Sequence, residues 1–325
     1  MEMDRTEDLT RLPCQGERSF LEFPIETRLE TLDAHFAVLG IPFGMPYPEH
    51  DWPNEQSKAP DALRKVSNAE DIRYTRAHHD FDLGGALLDG KDIRIVDCGN
   101  VTAVPGAPEI HYQRAEQAAR LILAAGSVLI ALGGDHGVTI PIVRALEVLD
   151  KPVTLVHVDA HLDWRDSIGG ESEGYSSPIR RASELPWIRD IIQIGMRGIG
   201  SARDSEIRDA AQWGSRVIDA YALHEQGVQA ALEQIPDGGP YYLSIDADGV
   251  DPSLMPAVLA PTPGGLDWLQ LRGLVHGLWA KGRVIGMDLV EIAPAHDVRD
   301  MTLLNAERLL CNFIGAGVRS VFMGS

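Results

Sequence analysis

Val153-Thr154-Leu155-Val156 runs without a break into His157-Val158-Asp159-Ala160-His161-Leu162-Asp163, and the reading of this stretch decides the fold. A short apolar, β-branched run reads as a buried strand, and side chains along an extended chain alternate between its two faces. Asp159, His161 and Asp163 therefore share one face where that strand ends. Three ionisable groups do not stay side by side at the edge of a core unpaired, because burying like charges costs roughly several kcal/mol. A metal ion removes that cost.

Two further stretches supply matching groups. Ser244-Ile245-Asp246-Ala247-Asp248 follows the apolar Tyr241-Tyr242-Leu243, and Gly133-Gly134-Asp135-His136 follows the apolar run from Ser127 to Leu132. A lone Asp-x-Asp is ordinarily a turn or a helix cap. The conjunction is different: His136, Asp159, His161, Asp163, Asp246 and Asp248 all fall at predicted strand ends. This oxygen- and nitrogen-rich set suits Mn, Ni, Fe or Co rather than the thiolate-rich sites of structural zinc. Six ligands exceed what one open catalytic ion takes, and carboxylates can bridge, so two ions about 3.5–4 Å apart is the economical reading.

Outward from these motifs the chain alternates strand and helix. Strands are predicted at 35–40, 92–97, 127–132, 153–158, 190–195, 215–219, 241–246 and 283–290, with helices near 60–66, 111–125, 137–149, 202–212, 222–234, 266–280 and 302–315. Long crossovers separate all of them, which demands a three-layer α/β fold, a mainly parallel sheet of about eight strands with helices on both faces. Residues 1–34, with Pro13 and Pro24 and no clear periodicity, read as an irregular arm, and 35–325 as one domain. The loop from Ile41 to Ala59 contributes Glu49, Asp51 and Glu55 and is expected to cover the site, since loops after parallel strands build ligand crevices. The adjacent His78 and His79 cannot easily share one ion and read as an exposed loop pair.

Composition narrows the function. The 325 residues are 44% hydrophobic, enough for a large core. A formal net charge of -19 argues against nucleic acid and anionic membrane surfaces and suits a cationic substrate. Cys14, Cys98 and Cys311 are too few and scattered for a disulfide framework or a thiolate metal site. No apolar run reaches about 18 residues, so a soluble, cytoplasmic protein is expected.

Gly-Gly-Asp-His (133–136), Asp-Ala-His-Leu-Asp (159–163) and Ser-Ile-Asp-Ala-Asp-Gly-Val-Asp-Pro (244–252) resemble the three signatures of the ureohydrolase superfamily of arginases, agmatinases and guanidino-acid hydrolases. The likeness runs from about Val38 to the C-terminus and takes in Gln193-Ile194-Gly195-Met196-Arg197-Gly198 and Gly286-Met287-Asp288-Leu289-Val290-Glu291. The resemblance implies an arginase-like fold with two divalent ions, Mn2+ by default, at the carboxyl edge of the sheet. It implies that His136 and Asp163 bind one ion, His161 and Asp248 the other, and that Asp159 and Asp246 bridge them. It further implies that Glu291 grips the guanidinium group, for which a carboxylate fork matches paired N–H donors. Asp248 or another bound carboxylate is then placed to relay a proton to the leaving amine. The alternative for Glu291 is a cap or a pair with a nearby Arg such as Arg299; His157 reads as supporting or packed core, and Asp251-Pro252 as turn chemistry.

Departures from the family pattern bear on substrate. Where agmatinases and arginases carry a histidine after the central motif, this chain has Glu173-Gly174-Tyr175-Ser176, with Tyr175 at the histidine position. A phenol with an ordinary pKa near 10 is a poor proton shuttle at neutral pH. After Pro256 the polar Gly-Thr-Gly-Thr of agmatinases is replaced by Ala257-Val258-Leu259-Ala260, so Val258 and Leu259 are expected to give the pocket methyl groups. These changes resemble the superfamily branch that hydrolyses guanidine, N-methylated guanidines or biguanides such as metformin, some with Ni2+ and a paralogous partner chain. The family otherwise implies a trimer or hexamer. Agmatinase or guanidino-acid hydrolase activity is the alternative within the family, and a weakly active subunit supporting a paralogous chain is the alternative outside catalysis.

Overall fold

The computed structural model describes residues 9–11, 19–50, 52, 54–68 and 76–321. Its strands are β1 (Thr10–Arg11), β2 (Phe36–Ile41), β3 (Ile95–Val101), β4 (Val128–Gly133), β5 (Val153–Val158), β6 (Ile188–Ile194), β7 (Arg216–Ile218), β8 (Gly238–Asp246) and β9 (Gly282–Val290). They form one sheet in the order β1-β3-β2-β4-β9-β8-β5-β6-β7. β2 to β9 are mutually parallel, as their long crossovers require. The sheet differs from the expected eight strands by β1, which pairs antiparallel with β3 through only two residues. Two residues are too few for alternation to register in a sequence.

Strand alternation sorts the core into two layers. Val38, Ile130, Leu132, Val156, Val158 and Ile245 pack on one face under the helices Ala59–Val66, Ala220–Gln234, Trp268–Lys281 and Met301–Arg319. Leu39, Leu129, Ala131, Leu155, Tyr242 and Ile285 pack on the other under Pro108–Ala124, Thr139–Ala145 and Asp204–Trp213. The helix expected over 137–149 is broken into a 3-10 turn at His136–Val138, the helix Thr139–Ala145 and a second 3-10 turn at Leu146–Leu149. A short helix, Pro178–Ser183, was not read from the sequence. Proline at its first turn fits a helix start, but six residues carry too little periodicity.

Residues ahead of β2 are tied to this body. Phe20, Leu21 and Phe23 are buried, and the Phe20 backbone N–H donates to Asp97 Oδ2 at 2.7 Å. The same carboxylate takes a bidentate bond from the fully buried Arg64, at 2.8 and 2.9 Å, which clamps the Ala59–Val66 helix to β3.

The topology places the chemistry. β4, β9, β8 and β5 are consecutive neighbours in the sheet and parallel, so their carboxyl ends lie side by side. Those four ends carry His136, Glu291, the Asp246/Asp248 pair and the Asp159/His161/Asp163 set. β4 and β5 follow one another in the chain yet are separated in the sheet by two strands, β9 and β8. Such a break in strand order opens the crevice where open α/β sheets bind ligands.

Candidate active site

Three strand ends converge on two donor clusters. His136 Nδ1 lies 3.2 Å from Asp159 Oδ2, 3.0 Å from Asp163 Oδ2 and 3.2 Å from Asp246 Oδ2. His161 Nδ1 lies 3.3 Å from Asp159 Oδ1 and 3.1 Å from Asp248 Oδ2. Asp159 thus offers one oxygen to each cluster. Backbone donors fix the carboxylates: His161 N donates to Asp159 Oδ1 at 2.6 Å, Asp248 N to Asp246 Oδ1 at 2.8 Å, and Ala160 N to Asp248 Oδ1 at 3.2 Å across the β5–β8 boundary. All six residues expected from the sequence are therefore brought together.

The hydrogen bonds behind His136 test whether this set fits cations. Asp288 accepts from Ser244 Oγ at 2.7 Å, Tyr242 OH at 2.9 Å and Thr139 Oγ1 at 3.0 Å, so it acts as a carboxylate. The Ser244 proton being spent there, Ser244 Oγ accepts from His136 Nε2–H at 3.0 Å. Nδ1 then carries the lone pair, is buried, and makes no hydrogen bond of its own. A lone pair aimed among three carboxylate oxygens requires a positive charge between them. Two donors about 2.1 Å from one ion at right angles lie about 3 Å apart, the spacing found here. Four carboxylates also balance two divalent cations.

Without an ion, protons take that place. Burial alone would push the His136 imidazole down, but Asp159, Asp163 and Asp246 hold it well above its ordinary value. Burial likewise opposes charge on His161, yet Asp159 and Asp248 push it up to about 12. Burial, with Asp159 close by, raises Asp248 to about 6, and burial with Asp248 and Asp159 raises Asp246 well above the carboxylate range.

His157 is fully buried, 2.9 Å from Asp159 Oδ2, with Gln193 Nε2 3.3 Å from its other nitrogen. Its ring can join His136, Asp159 and Asp163 in a donor group whose atoms lie within 4.8 Å of one another. Arg197 is likewise buried behind Asp248, donating to the backbone oxygens of Asp248, Gly249, Gly195 and Thr262. It ties the β8 and β6 loops together. Asp251 does the turn work expected of it, accepting from Ser253 N and Gly264 N.

Glu291 ends β9 in a left-handed conformation at φ 65°, and Asp163 adopts φ 50°. Glu291 Oε1 accepts from His136 N and Oε2 from Gln56 Nε2, both at 2.8 Å; Arg299 is not among these partners. Burial first, and the nearby Asp135 second, raise it to about 8. Gln56 was not singled out from the sequence, nor was Asn54, whose amide donates to Asp135 Oδ2 at 2.7 Å. Both sit on the predicted cover loop, which carries no motif to mark them. Of its acids, Glu55 pairs with Lys58 at 2.6 Å, Glu49 is exposed and Asp51 lies outside the described residues.

These groups open on a cavity of about 220 Å³ lined by Gln56, His161, Asp163, Tyr175, Glu291 and Leu259. Tyr175 is packed edge-on against Tyr47 at 4.8 Å and stacked on His50 at 6.2 Å. Burial, then Tyr47, push its hydroxyl up to about 12. The apolar wall needs one correction: Leu259 and Ala260 reach the cavity, whereas Val258 is 3% exposed and packs in the main core. The chain bends at 258–260, and the bend leaves Val258 in the core while Leu259 and Ala260 reach the cavity. Trp164 and Arg165, paired with Glu206, complete the wall.

The arginase-family model matches residues 34–315. The mitochondrial agmatinase of Gallus gallus is 32% identical over 304 residues, covering 91% of this chain and 84% of that protein. The guanidinopropionase of Pseudomonas aeruginosa is 35% identical over 238 residues, covering 70% and 74%. Among solved structures, proclavaminate amidino hydrolase from Streptomyces clavuligerus superposes with a TM-score of 0.80 at 25% identity, covering 93% of this chain and 97% of that one. On the joint strength of sequence, sheet and donor clusters, the chain belongs to the arginase family, metal-dependent hydrolases of the carbon–nitrogen bonds of guanidino groups.

Proposed function

We propose that this chain hydrolyses a small or N-alkylated guanidine, or a biguanide such as metformin, releasing an amine or ammonia and a urea-type product. The observation that carries the reading is the composition of one cavity, in which His161, Asp163, Asp246, Asp248 and Glu291 share a wall with Leu259 and Ala260. His136 and Asp163 would hold one divalent ion, His161 and Asp248 the other, with Asp159 and Asp246 shared. Mn2+ and Ni2+ both accept this donor set. When bound, two such ions acidify a water toward neutrality and add Lewis-acid charge beside the substrate carbon.

The chain's own residues do the rest. Glu291, held by His136 N and Gln56, accepts the N–H donors of the cation and fixes its plane. Asp248, which lines the cavity with Glu291, would take up a proton and pass it to the departing amine. Leu259 and Ala260, exposed on the cavity wall, offer methyl groups to alkyl substituents in place of a second charge. Tyr175, un-ionised at neutral pH, shapes the cavity and can donate but not accept a proton.

Arg165 supports a second reading. Its guanidinium lies on the cavity wall in a pair with Glu206, where the carboxylate tail of a guanidino acid could engage it. Release of urea, ammonia and amine from guanidine, N,N-dimethylguanidine, metformin, agmatine and 4-guanidinobutyrate, alongside elemental analysis, decides between the readings. Preference for 4-guanidinobutyrate that vanishes in Arg165→Leu would establish the second; strong preference for agmatine would end both. In line with the family resemblance, we propose a cytoplasmic trimer or hexamer, or assembly with a paralogous chain. Light scattering of the isolated chain and rescue of weak turnover by a second subunit are the corresponding tests.

A further inference from the structure

We infer that His157 is a positioning residue: its Nε2–H donates to Asp159 Oδ2 and holds that carboxylate as a bridge between the two ion sites, while the ring itself is not a ligand. The inference rests on the dinuclear reading of the site and gives His157 a defined role within it.

Three hydrogen bonds locate the proton of His157. Gln193 Nε2 lies 2.7 Å from the Leu162 carbonyl oxygen, and only an amino group can donate there. The other end of the amide agrees, since Gln193 Oε1 accepts from Ser215 Oγ at 2.9 Å. The Gln193 amino group therefore also faces His157 Nδ1, at 3.3 Å, and that nitrogen accepts. An imidazole whose Nδ1 accepts carries its hydrogen on Nε2, which stands 2.9 Å from Asp159 Oδ2. The nitrogen turned toward the acidic cluster thus has no lone pair to give a cation. Proximity groups His157 with His136, Asp159 and Asp163, but within that group its ring is a hydrogen-bond donor.

Asp159 then takes one N–H on each oxygen. Oδ2 receives His157 Nε2–H, and Oδ1 receives the His161 backbone N–H at 2.6 Å. The lone pair left on Oδ2 serves the His136 cluster, and the one left on Oδ1 serves the His161 cluster. With one oxygen committed to each side, Asp159 can bridge two ions but cannot turn both oxygens onto one. His157 is fully buried on β5, and Gln193 stands beside it in parallel register on β6, so the sheet itself fixes this donor.

The test replaces His157 by glutamine and by asparagine. A glutamine amide reaches about as far as Nε2 and can still donate to Asp159. An asparagine amide ends near the place of Nδ1, where it meets Gln193 but not Asp159. Thermal melting of the metal-free proteins establishes that each is folded. The stripped proteins are titrated with Mn2+ by calorimetry, and electron paramagnetic resonance reads the magnetic coupling between the two ions. His157→Asn should lower the affinity for one of the two ions by about 10- to 100-fold and weaken the coupled signal, while His157→Gln retains both. Equal behaviour of the two variants, whether both match wild type or both are impaired, would overturn the role. The proton is read independently by nitrogen-15 NMR of wild type loaded with diamagnetic Zn2+, the His157 signals being identified by their loss in His157→Gln. Nε2 should be protonated and Nδ1 bare; a proton on Nδ1, or a His157 nitrogen bound to zinc, would overturn the inference too. Should wild type bind fewer than two ions, the dinuclear reading falls and takes the bridging role with it, a result distinguishable from the others because no variant is involved.

Discussion

Ser244 and Asp288 stand directly opposite one another on β8 and β9, and the Ser244 hydroxyl donates to Asp288 at 2.7 Å. Parallel register at one position therefore dictates which nitrogen of His136 is free. Asp288→Asn should let the hydroxyl and the imidazole reorient, lowering the affinity for the ion at His136 by roughly 10- to 100-fold. Ser244→Ala should do the same with less effect on folding. Metal titration of the stripped proteins checks both, and unchanged affinity in Asp288→Asn would show that the chain of bonds is idle.

Removal of the ions should make stability fall as pH rises. Glu291 is raised to about 8, Asp248 to about 6 and His161 to about 12, all above their unfolded values. Each then contributes stability that is complete below its unfolded pKa and is lost as pH climbs through the folded one. For the two carboxyls that window spans about pH 4 to 8. Melting temperatures in chelator at pH 5, 6, 7 and 8 should descend, and Mn2+ should restore them most at pH 8. A rising series would contradict the assignment, and Glu291→Gln should flatten the upper part of the slope.

Close approach of two strand ends makes Gly249 indispensable. A Cβ there would lie 2.7 Å from the Asp159 nitrogen, 2.8 Å from its Cα and 2.9 Å from the Val158 carbonyl carbon. All three are backbone atoms with nowhere to yield. Gly249→Ala should cost about 1–3 kcal/mol of stability and spread Asp159 from Asp248. The combined measurement is chemical denaturation and metal content, and a variant with wild-type values in both would refute the packing argument.

Tyr175→Phe should change little. The hydroxyl stays protonated through neutral pH, being pushed up to about 12. General acid or base catalysis contributes roughly 10²- to 10⁴-fold, so a drop in kcat/KM under about 10-fold with an unaltered pH profile is expected for a wall residue. A loss beyond about 100-fold would instead make the phenol a proton donor.

Legibility from sequence followed local signal strength. β4, β5 and β8 could be read because each couples a fully buried apolar run to charged residues that make no sense at a core edge without a partner. Their adjacency in the sheet could not, since strand order depends on contacts across the chain. Glu291 was reachable only through family likeness, as one carboxylate after a strand is unremarkable chemistry. Gln56 and Asn54 left no trace because neutral amides occur in every polar loop; what marks them is a contact with residue 291 or 135. The Val258 and Leu259 pair shows the remaining limit: an apolar loop can be recognised, but which of two neighbours turns inward is settled by packing.

Both Asp163 and Glu291 hold left-handed backbones that ordinary side chains avoid. Each costs about 1–2 kcal/mol relative to a relaxed conformation, a penalty that glycine would escape. The rim of the sheet is thus kept in tension by the folded body, and durability and reactivity oppose one another at these two positions. Glycine at residue 291 would relax the backbone but leave His136 N and Gln56 Nε2 without their acceptor, so the strain at these two positions cannot be removed without dismantling the site.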